Sequence, residues 1–231
     1  MPTLKNITNW FELKYFSNIK LVNEKKITNI MSIFNADEFG HQANIKKNDL
    51  GYGWIHYGFI RQQKPKNVLC VGSRHGYIPA ILAQACKDNG FGSVDFVDAG
   101  FGEEESGGWT GLGYWKTNKG KNIFNKYGLS SFLSLFVMKN SNFVKKYPRN
   151  KYDYIYVDGD HSLKGVILDF KLFWPMLRIN GYMMFHDICV KGNKPEGLYG
   201  VWKFWELAQN RLSNINIKFN GSGLGIIQKE C

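Results

Sequence analysis

The sequence predicts an α/β chain: a Rossmann-like, doubly wound, mostly parallel sheet with an N-terminal helical lead-in and a C-terminal antiparallel hairpin. Three observations predict it. Five short apolar runs, NVLCV, SVDFV, LSLFV, YIYV and YMMF, alternate with stretches of helical spacing, the pattern of parallel strands joined by crossover helices. Acids and histidines stand at the ends of several of these runs, where an open α/β sheet places its ligands. The 231 residues, 44% hydrophobic and 16% aromatic, suffice to bury one full core.

Residues 1–50 carry helix-compatible patterning (Trp10, Phe11, Leu13, Tyr15 and Phe16, then Ile27, Ile30, Met31 and Phe34) and read as a lead-in or cap to a main domain at 51–231. NVLCVG (67–72) is the first strand, broken by SRHG. From Tyr77 to Lys87, Ile78, Ile81, Leu82 and Ala85 share a helix face, and Pro79 falls in the first turn, where it is tolerated. SVDFVD (93–98) is the second strand. Residues 99–128 form a Gly- and Trp-containing insertion, and so long a connection reads as a functional loop or lid. LSLFVM (133–138) is the third strand, followed by a short helix ending near Tyr147-Pro148. YDYIYVD is the fourth, and the helix after it shows Leu163, Val166, Ile167, Phe170, Phe173, Trp174 and Leu177 at three- and four-residue spacing. Pro175 ends or kinks that helix before an Asn180-Gly181 turn and a fifth strand, YMMFHD. A helix, VWKFWELAQNRL, and a hairpin, NIKFNGSGLGIIQ, close the chain.

The formal charge is +11, unevenly spread: from Lys116 to Lys151 there are nine Lys or Arg and no Asp or Glu. Such a stretch favours an anionic partner, whether phosphorylated glycan, nucleotide-activated sugar, nucleic acid or membrane surface. The Lys-, Asn- and Ile-rich usage of an AT-rich genome would account for it as well. No apolar run approaches the ~20 residues that span a bilayer, and MPTLKNITNWFELK does not have the form of a signal peptide. The four cysteines are scattered without metal-type pairing, and Cys70 and Cys86 lie in apolar stretches. Reduced core thiols in a cytoplasmic protein are the expectation.

The chemistry concentrates at the strand ends. In YDYIYVDGDHSLKG a buried strand turns into Asp158, Asp160 and His161; in GYMMFHD another ends in His186 and Asp187. Charged groups at the end of a buried strand destabilise unless they bind something. The first strand runs into Gly72-Ser73-Arg74-His75-Gly76, where glycines let the backbone approach a ligand and the next helix offers N–H groups. About twenty residues on, Asp98 stands where an acid accepts both hydroxyls of a ribose. Asp160 reads as a cap for the helix beginning near Ser162. His41 and His56 read as ordinary polar residues; Trp109 and Trp115 either stack on a sugar or pack the loop.

VLCVGSRHGYIPAILA, VDFVD and YDYIYVDGDHSLKGVILDFKLFWPMLRINGYMMFHDI together resemble class I S-adenosylmethionine-dependent methyltransferases, over roughly residues 50 to 228. The branch resembled has a DGDH turn and an HD strand end and includes O-methyltransferases of sugars and small hydroxylated molecules. The resemblance implies that Gly72, Ser73 and Gly76 surround the methionine moiety of the cofactor and Asp98 holds its ribose. It implies that Asp158 faces the methyl donor and acceptor, and that Asp158 and Asp187 match a divalent-cation position in metal-dependent members. Three positions depart from the pattern: Cys70 stands where an acid is common, Arg74 and His75 make the first turn more cationic, and Ile188 follows the final aspartate.

The expected activity is O-methylation of a saccharide or other small, anionic metabolite, with His161 or His186 as base or with Mg²⁺ on Asp158 and Asp187 acidifying the hydroxyl. Each histidine could instead cap a helix or orient an aspartate. A nucleic-acid methyltransferase and a non-catalytic ligand-binding protein of the same fold are the alternatives. A nicotinamide-dependent dehydrogenase ranks lower, because the Gly72 turn lacks the G-x-G-x-x-G spacing.

Overall fold

The apolar runs become parallel strands β1 (Asn67–Val71), β2 (Ser93–Asp98), β3 (Leu133–Val137), β4 (Tyr152–Val157) and β5 (Leu177–His186) in a computed structural model of the chain. The structure describes residues 24–36, 40–101, 113–194, 197–218 and 221–230. A two-stranded ribbon, β6 (Asn193–Lys194) and β7 (Gly197–Leu198), stands apart, and β8 (Asn214–Ile217) and β9 (Leu224–Gln228) form the closing hairpin. The sheet order is β3-β2-β1-β4-β5-β9-β8, with β9 antiparallel to both its neighbours. Because β2 and β3 wind to one side of β1 while β4 and β5 wind to the other, the order reverses between β1 and β4. This switch point is where such sheets leave a crevice for ligands.

Strand alternation sends successive side chains to opposite faces, and helices cover both. Val68, Cys70, Phe96, Tyr154, Tyr156, Met184 and Ile226 point into one core. It is closed by α1 (Glu24–Ile33), α2 (Tyr52–Gln63), α3 (Tyr77–Asn89) and α4 (Asn118–Lys126). Leu69, Val71, Ile155, Val157, Met183, Phe185 and Ile227 point into the other. That face is closed by α5 (Asn140–Lys146), α6 (Leu163–Phe173) and α7 (Val201–Ala208).

Several expected elements change. The insertion at 99–128 is not one long loop: Tyr114–Lys116 form a 3₁₀ turn and Asn118–Lys126 form α4, the crossover between β2 and β3. Thr117 caps α4 through its hydroxyl, which accepts from the Gly120 amide at 3.0 Å, and Ile123 and Phe124 are buried. So polar a helix hides in the sequence because only two of its side chains face the core. Residues 102–112, with Trp109, lie outside the described residues, as do Trp10, Phe11, Leu13, Tyr15 and Phe16. The lead-in that is described packs into the first core. Met31 and Phe34 are fully buried, and Phe34 stacks on Phe124 at 5.3 Å between centroids.

α6 starts at Leu163 with Ser162 as its cap, and Pro175 falls in a 3₁₀ turn, Trp174–Met176, directly after it. The fifth strand begins at Leu177 rather than after Asn180-Gly181. Asn180, with φ 64, sits inside it, and the pairing with β4 shifts register between Tyr152 and Tyr154. That is the behaviour of a bulge, which accommodates one residue in the left-handed region without ending the strand. Cys70, Cys86 and Cys189 are free thiols, the first two buried. Among the described residues no helix is long and apolar enough to cross a membrane.

Candidate functional site

Gly72 closes β1 with φ +77, and its amide donates to the Val97 carbonyl at 2.8 Å. A Cβ at this position would lie 2.4 Å from the Asp158 carbonyl oxygen and 2.6 Å from Gly159 Cα. The glycine therefore allows two neighbouring strand ends to meet, and Asp158 is seated by its own amide, which donates to the Val71 carbonyl at 2.8 Å. Beyond Gly72, the Ser73 amide donates to Asp98 Oδ2 at 3.1 Å and the Gly100 amide to Oδ1 at 2.7 Å. Burial pushes the Asp98 carboxyl up, against these two hydrogen bonds. A carboxylate has about four acceptor positions, so Asp98 keeps capacity for further donors. The Ser73 hydroxyl accepts from Gly76, whose φ of +88 caps α3. Trp115 is buried behind this turn, donating to the Ser73 carbonyl at 2.7 Å and stacking on Phe124. It is a wall rather than a stacking platform. Cys70 is fully buried in the core, where burial pushes its thiol up, and supplies no acid.

Asp158, His161, His186 and Asp187 converge. Asp158 Oδ1 lies 3.1 Å from His161 Nε2 and 3.1 Å from His186 Nδ1, while the Tyr156 hydroxyl donates to Oδ2 at 3.2 Å. The other nitrogen of His161, Nδ1, lies 2.9 Å from Asp187 Oδ2, so one imidazole spans two carboxylates. Asp187 has φ 60, an uncommon conformation for a residue with a side chain and one that concentrates at functional sites. His186 Nε2 lies 2.9 Å from the Gly40 carbonyl and 2.9 Å from the Ser222 hydroxyl. Its Nδ1 lies 3.4 Å from Asp187 Oδ1. His41 joins from the lead-in, with Nε2 3.9 Å from Asp158 Oδ2 and its ring 4.7 Å from that of His186.

The charges follow from this packing. Burial opposes charge on every member, but opposite charges outweigh it. Asp187 and Asp158 raise His161 to about 10, and the same two carboxylates hold His186 well above the ordinary imidazole value. Reciprocally, His186 and His161 hold Asp158 and Asp187 below the usual carboxylate range. His56 differs: fully buried on α2 and near His41 and His186, it is lowered to about 3 and stays neutral, 2.5 Å from the Tyr154 hydroxyl.

Asp160 stays out of the cluster. It is exposed, and its Oδ1 accepts from the Ser162 amide at 2.9 Å, so it shapes the turn while Ser162 caps α6. Below the turn, Asp169 of α6 is buried, accepts from Asn140 Nδ2 at 2.7 Å, and has a carboxyl that burial pushes up to about 7. In the sequence His41 reads as an ordinary polar residue, and nothing local singles out Asp169, Gly40 or Ser222. Tyr156 had a usable signal, because it sits two residues before Asp158 on the same strand face. Gly40, His41 and Ser222 reach the cluster only through the tertiary fold. The nine basic residues from Lys116 to Lys151 are all exposed.

Two groupings have ligand atoms close enough to share a cation, His41–Asp158–His186 and Asp158–His161–Asp187. Both mix imidazole nitrogen with carboxylate oxygen. Mg²⁺ takes oxygen ligands in a near-ideal octahedron, so these donors do not fit it. Asp158 and Asp187, the expected pair, have His161 between them.

The family model described as a methyltransferase domain matches residues 69–188, 120 of the 231. A search of curated proteins found no match. Among solved structures, an O-methyltransferase from Bacillus cereus in complex with S-adenosylhomocysteine (SAH) is similar with TM-score 0.61 at 16% identity, over 96% of this chain and 100% of that one. An O-methyltransferase from Streptomyces achromogenes involved in tomaymycin synthesis, in complex with S-adenosylmethionine (SAM), gives TM-score 0.60 at 13% identity, over 97% and 98%. An SAH-bound methyltransferase from Podospora anserina gives 0.62 at 14%, over 100% and 98%. At these identities the structures speak for the fold, and the family model, spanning β1 to the end of β5 and both halves of the cluster, speaks for the lineage. The chain belongs to the methyltransferase-domain family, on the fold of class I S-adenosylmethionine-dependent methyltransferases.

Proposed function

We propose that this chain transfers a methyl group from S-adenosylmethionine to a hydroxyl oxygen of a saccharide or other small metabolite. The observation that carries the reading is His161, held between Asp158 and Asp187 at the switch point beside the Gly72 turn. The residues present suit the cofactor. Asp98, half-buried and only partly satisfied by two backbone amides, would be stabilised as a carboxylate by the two hydroxyls of a ribose, and Gly72 and Gly76 flank the turn that the methionine moiety would follow. When bound, S-adenosylmethionine supplies an electrophilic methyl group. The relatives whose descriptions name O-methylation support oxygen as the acceptor, and the exposed basic stretch supports an acceptor that carries negative charge.

An alcohol must lose its proton as it attacks, and the protein's part is to orient the oxygen and take that proton. Neutral His161 keeps its hydrogen on Nδ1, toward Asp187, and accepts the acceptor proton at Nε2, on the Asp158 side. Asp187 and Asp158 stabilise the imidazolium as it forms, as the buried aspartate does in an Asp–His pair of a hydrolase. Tyr156 keeps the Asp158 carboxylate oriented. His186, tied to Gly40 and Ser222, adds positive charge beside Asp158 rather than serving as a second base. With an imidazole in each candidate grouping, the donors give Mg²⁺ no step.

Calorimetry with S-adenosylmethionine tests the cofactor, and a methyl-transfer assay over hydroxylated acceptors tests the reaction. The expected result is 1:1 binding that Asp98→Ala weakens, with turnover that Asp158→Ala abolishes. No binding of S-adenosylmethionine to the folded wild-type protein would sink the reading.

A further inference from the structure

We infer that Asp169 and Asn140 are positioning residues: a buried, hydrogen-bonded pair that holds the DGDH turn from below and so sets where Asp158 meets His161. From above, the turn is fixed by the end of β1, since a Cβ at Gly72 would lie 2.6 Å from Gly159 Cα. From below, a Cβ at Gly159 would lie 3.1 Å from Asp169 Oδ2, 3.6 Å from Val71 Cγ1 and 3.9 Å from Asn140 Nδ2. Gly159 is therefore gripped between Gly72 and the pair, whose own hydrogen bond runs from Asn140 Nδ2 to Asp169 Oδ1 at 2.7 Å. The residue before Gly159 is Asp158, and Asp158 Oδ1 lies 3.1 Å from His161 Nε2. Such a contact weakens steeply once its alignment is lost, so whatever fixes Gly159 fixes the contact.

Packing alone does not call for an acid here. Asp169 is 3% exposed, and its Oδ2 has no hydrogen-bond partner among the described residues. An unsatisfied buried polar atom destabilises, and one kept in a native fold points to a role beyond packing. Burial pushes the carboxyl up to about 7; Asn140 opposes that rise, Asp160 on the turn adds to it and His161 opposes it. With Oδ1 accepting from Asn140, the proton of the neutral acid sits on Oδ2, the oxygen that faces Gly159. Ionisation would leave a buried, unpaired charge against the turn, and the turn must then give way or admit water. The pair also joins α5 to α6, the helices before and after β4, so the strand that carries Asp158 is held through both of its connections.

The inference rests on the methyl-transfer reading for its kinetic arm, and a spectroscopic arm on the full chain is independent of turnover. Asp169→Ala and Asn140→Ala should each lower kcat about 10- to 100-fold while S-adenosylmethionine affinity stays within about 3-fold of wild type. Asp169→Asn, neutral and of the same shape, should restore kcat at about pH 6, where the wild-type acid is protonated. The ¹⁵N resonances of the His161 ring, read without substrate, should shift in both alanine variants and coincide with wild type in Asp169→Asn at that pH. Should the alanine variants fail to fold, wild type and Asp169→Asn decide the matter between them. Their His161 resonances should agree at about pH 6 and part at about pH 8, where only Asp169 is ionised. Unshifted His161 resonances in the folded alanine variants, an Asp169→Asn as impaired as Asp169→Ala, or agreement at both pH values would each overturn the inference. Absent binding of S-adenosylmethionine to wild type would instead sink the methyltransferase reading and leave the His161 resonances to judge the pair.

Discussion

His161 takes its charge from two buried carboxylates, and this makes the pH dependence of the proposed reaction specific. With the imidazole raised to about 10 by Asp187 and Asp158, its base form is scarce at neutral pH and grows as pH rises. The kcat/KM profile should therefore climb through the alkaline range, well above the ordinary histidine value. Asp187→Asn removes one negative neighbour and should move that limb to lower pH, while His161→Ala should lower kcat by about 10²–10⁴-fold with cofactor affinity largely kept. A limb unmoved by Asp187→Asn would reject His161 as the base. Asp169 gives a second test at this scale, on stability. Its folded carboxyl lies near 7 against an ordinary 3.8, so its protonated form favours the fold; that stability is complete below about pH 4 and is lost as pH rises to about 7. Asp169→Asn, neutral throughout, should match wild type near pH 4 and exceed it by up to about 4 kcal/mol at pH 8 in urea unfolding.

Among the elements, β1 and β4 do most to place the site, because the Gly72 turn and the DGDH turn are in backbone contact. Gly72→Ala would set a Cβ 2.4 Å from the Asp158 carbonyl and force a side-chain residue to φ +77. The expected loss is about 2–3 kcal/mol of stability together with activity, since Asp158 must shift to make room. Ser162→Ala removes only the α6 cap and should lose about 1 kcal/mol in thermal or urea unfolding. Most of this layer was readable. The strands at 67–71, 93–98 and 152–157 follow from apolar runs that fill a buried sheet, and the DGDH and HD ends announced themselves by polarity. The helix at 118–126 was not readable, because NKGKNIFNK offers little beyond Ile123 and Phe124 to mark a buried face. Between stacking on a sugar and packing the loop, the sequence leaves Trp115 open, and it is core for a reason no local pattern carries: Phe96 and Phe124 pack around it.

Across the whole molecule, the lead-in is tied to the rest of the chain by Phe34 and by the Gly40–His186 hydrogen bond. Phe34→Ala should lose about 3–5 kcal/mol in urea unfolding, the range for an aromatic deleted from a core. A loss below 1 kcal/mol would mean that the lead-in is dispensable to the fold. The net charge of +11 belongs to this scale as well. If the basic stretch draws in an anionic acceptor, KM should rise with ionic strength while kcat holds, because salt screens long-range attraction and not the buried site.

The α/β architecture, the strand ends that carry Asp158, His161, His186 and Asp187, and the methyltransferase lineage were all legible in the sequence. The architecture and the strand ends depend on short-range information: apolar runs, helical spacing, and polar residues placed where a buried strand should stop; the lineage came from the resemblance of the strand-end motifs to a known family. How the ionisable groups are wired emerges from the folded chain alone. It put His161 between two carboxylates, turned His186 Nδ1 onto Asp158 by fixing Nε2 on Gly40, and brought His41 to the same carboxylate. The physical reason is that charge and tautomer in a buried cluster are set by neighbours across space. Those neighbours come from positions as far apart as Gly40 and Ser222, which no local pattern relates.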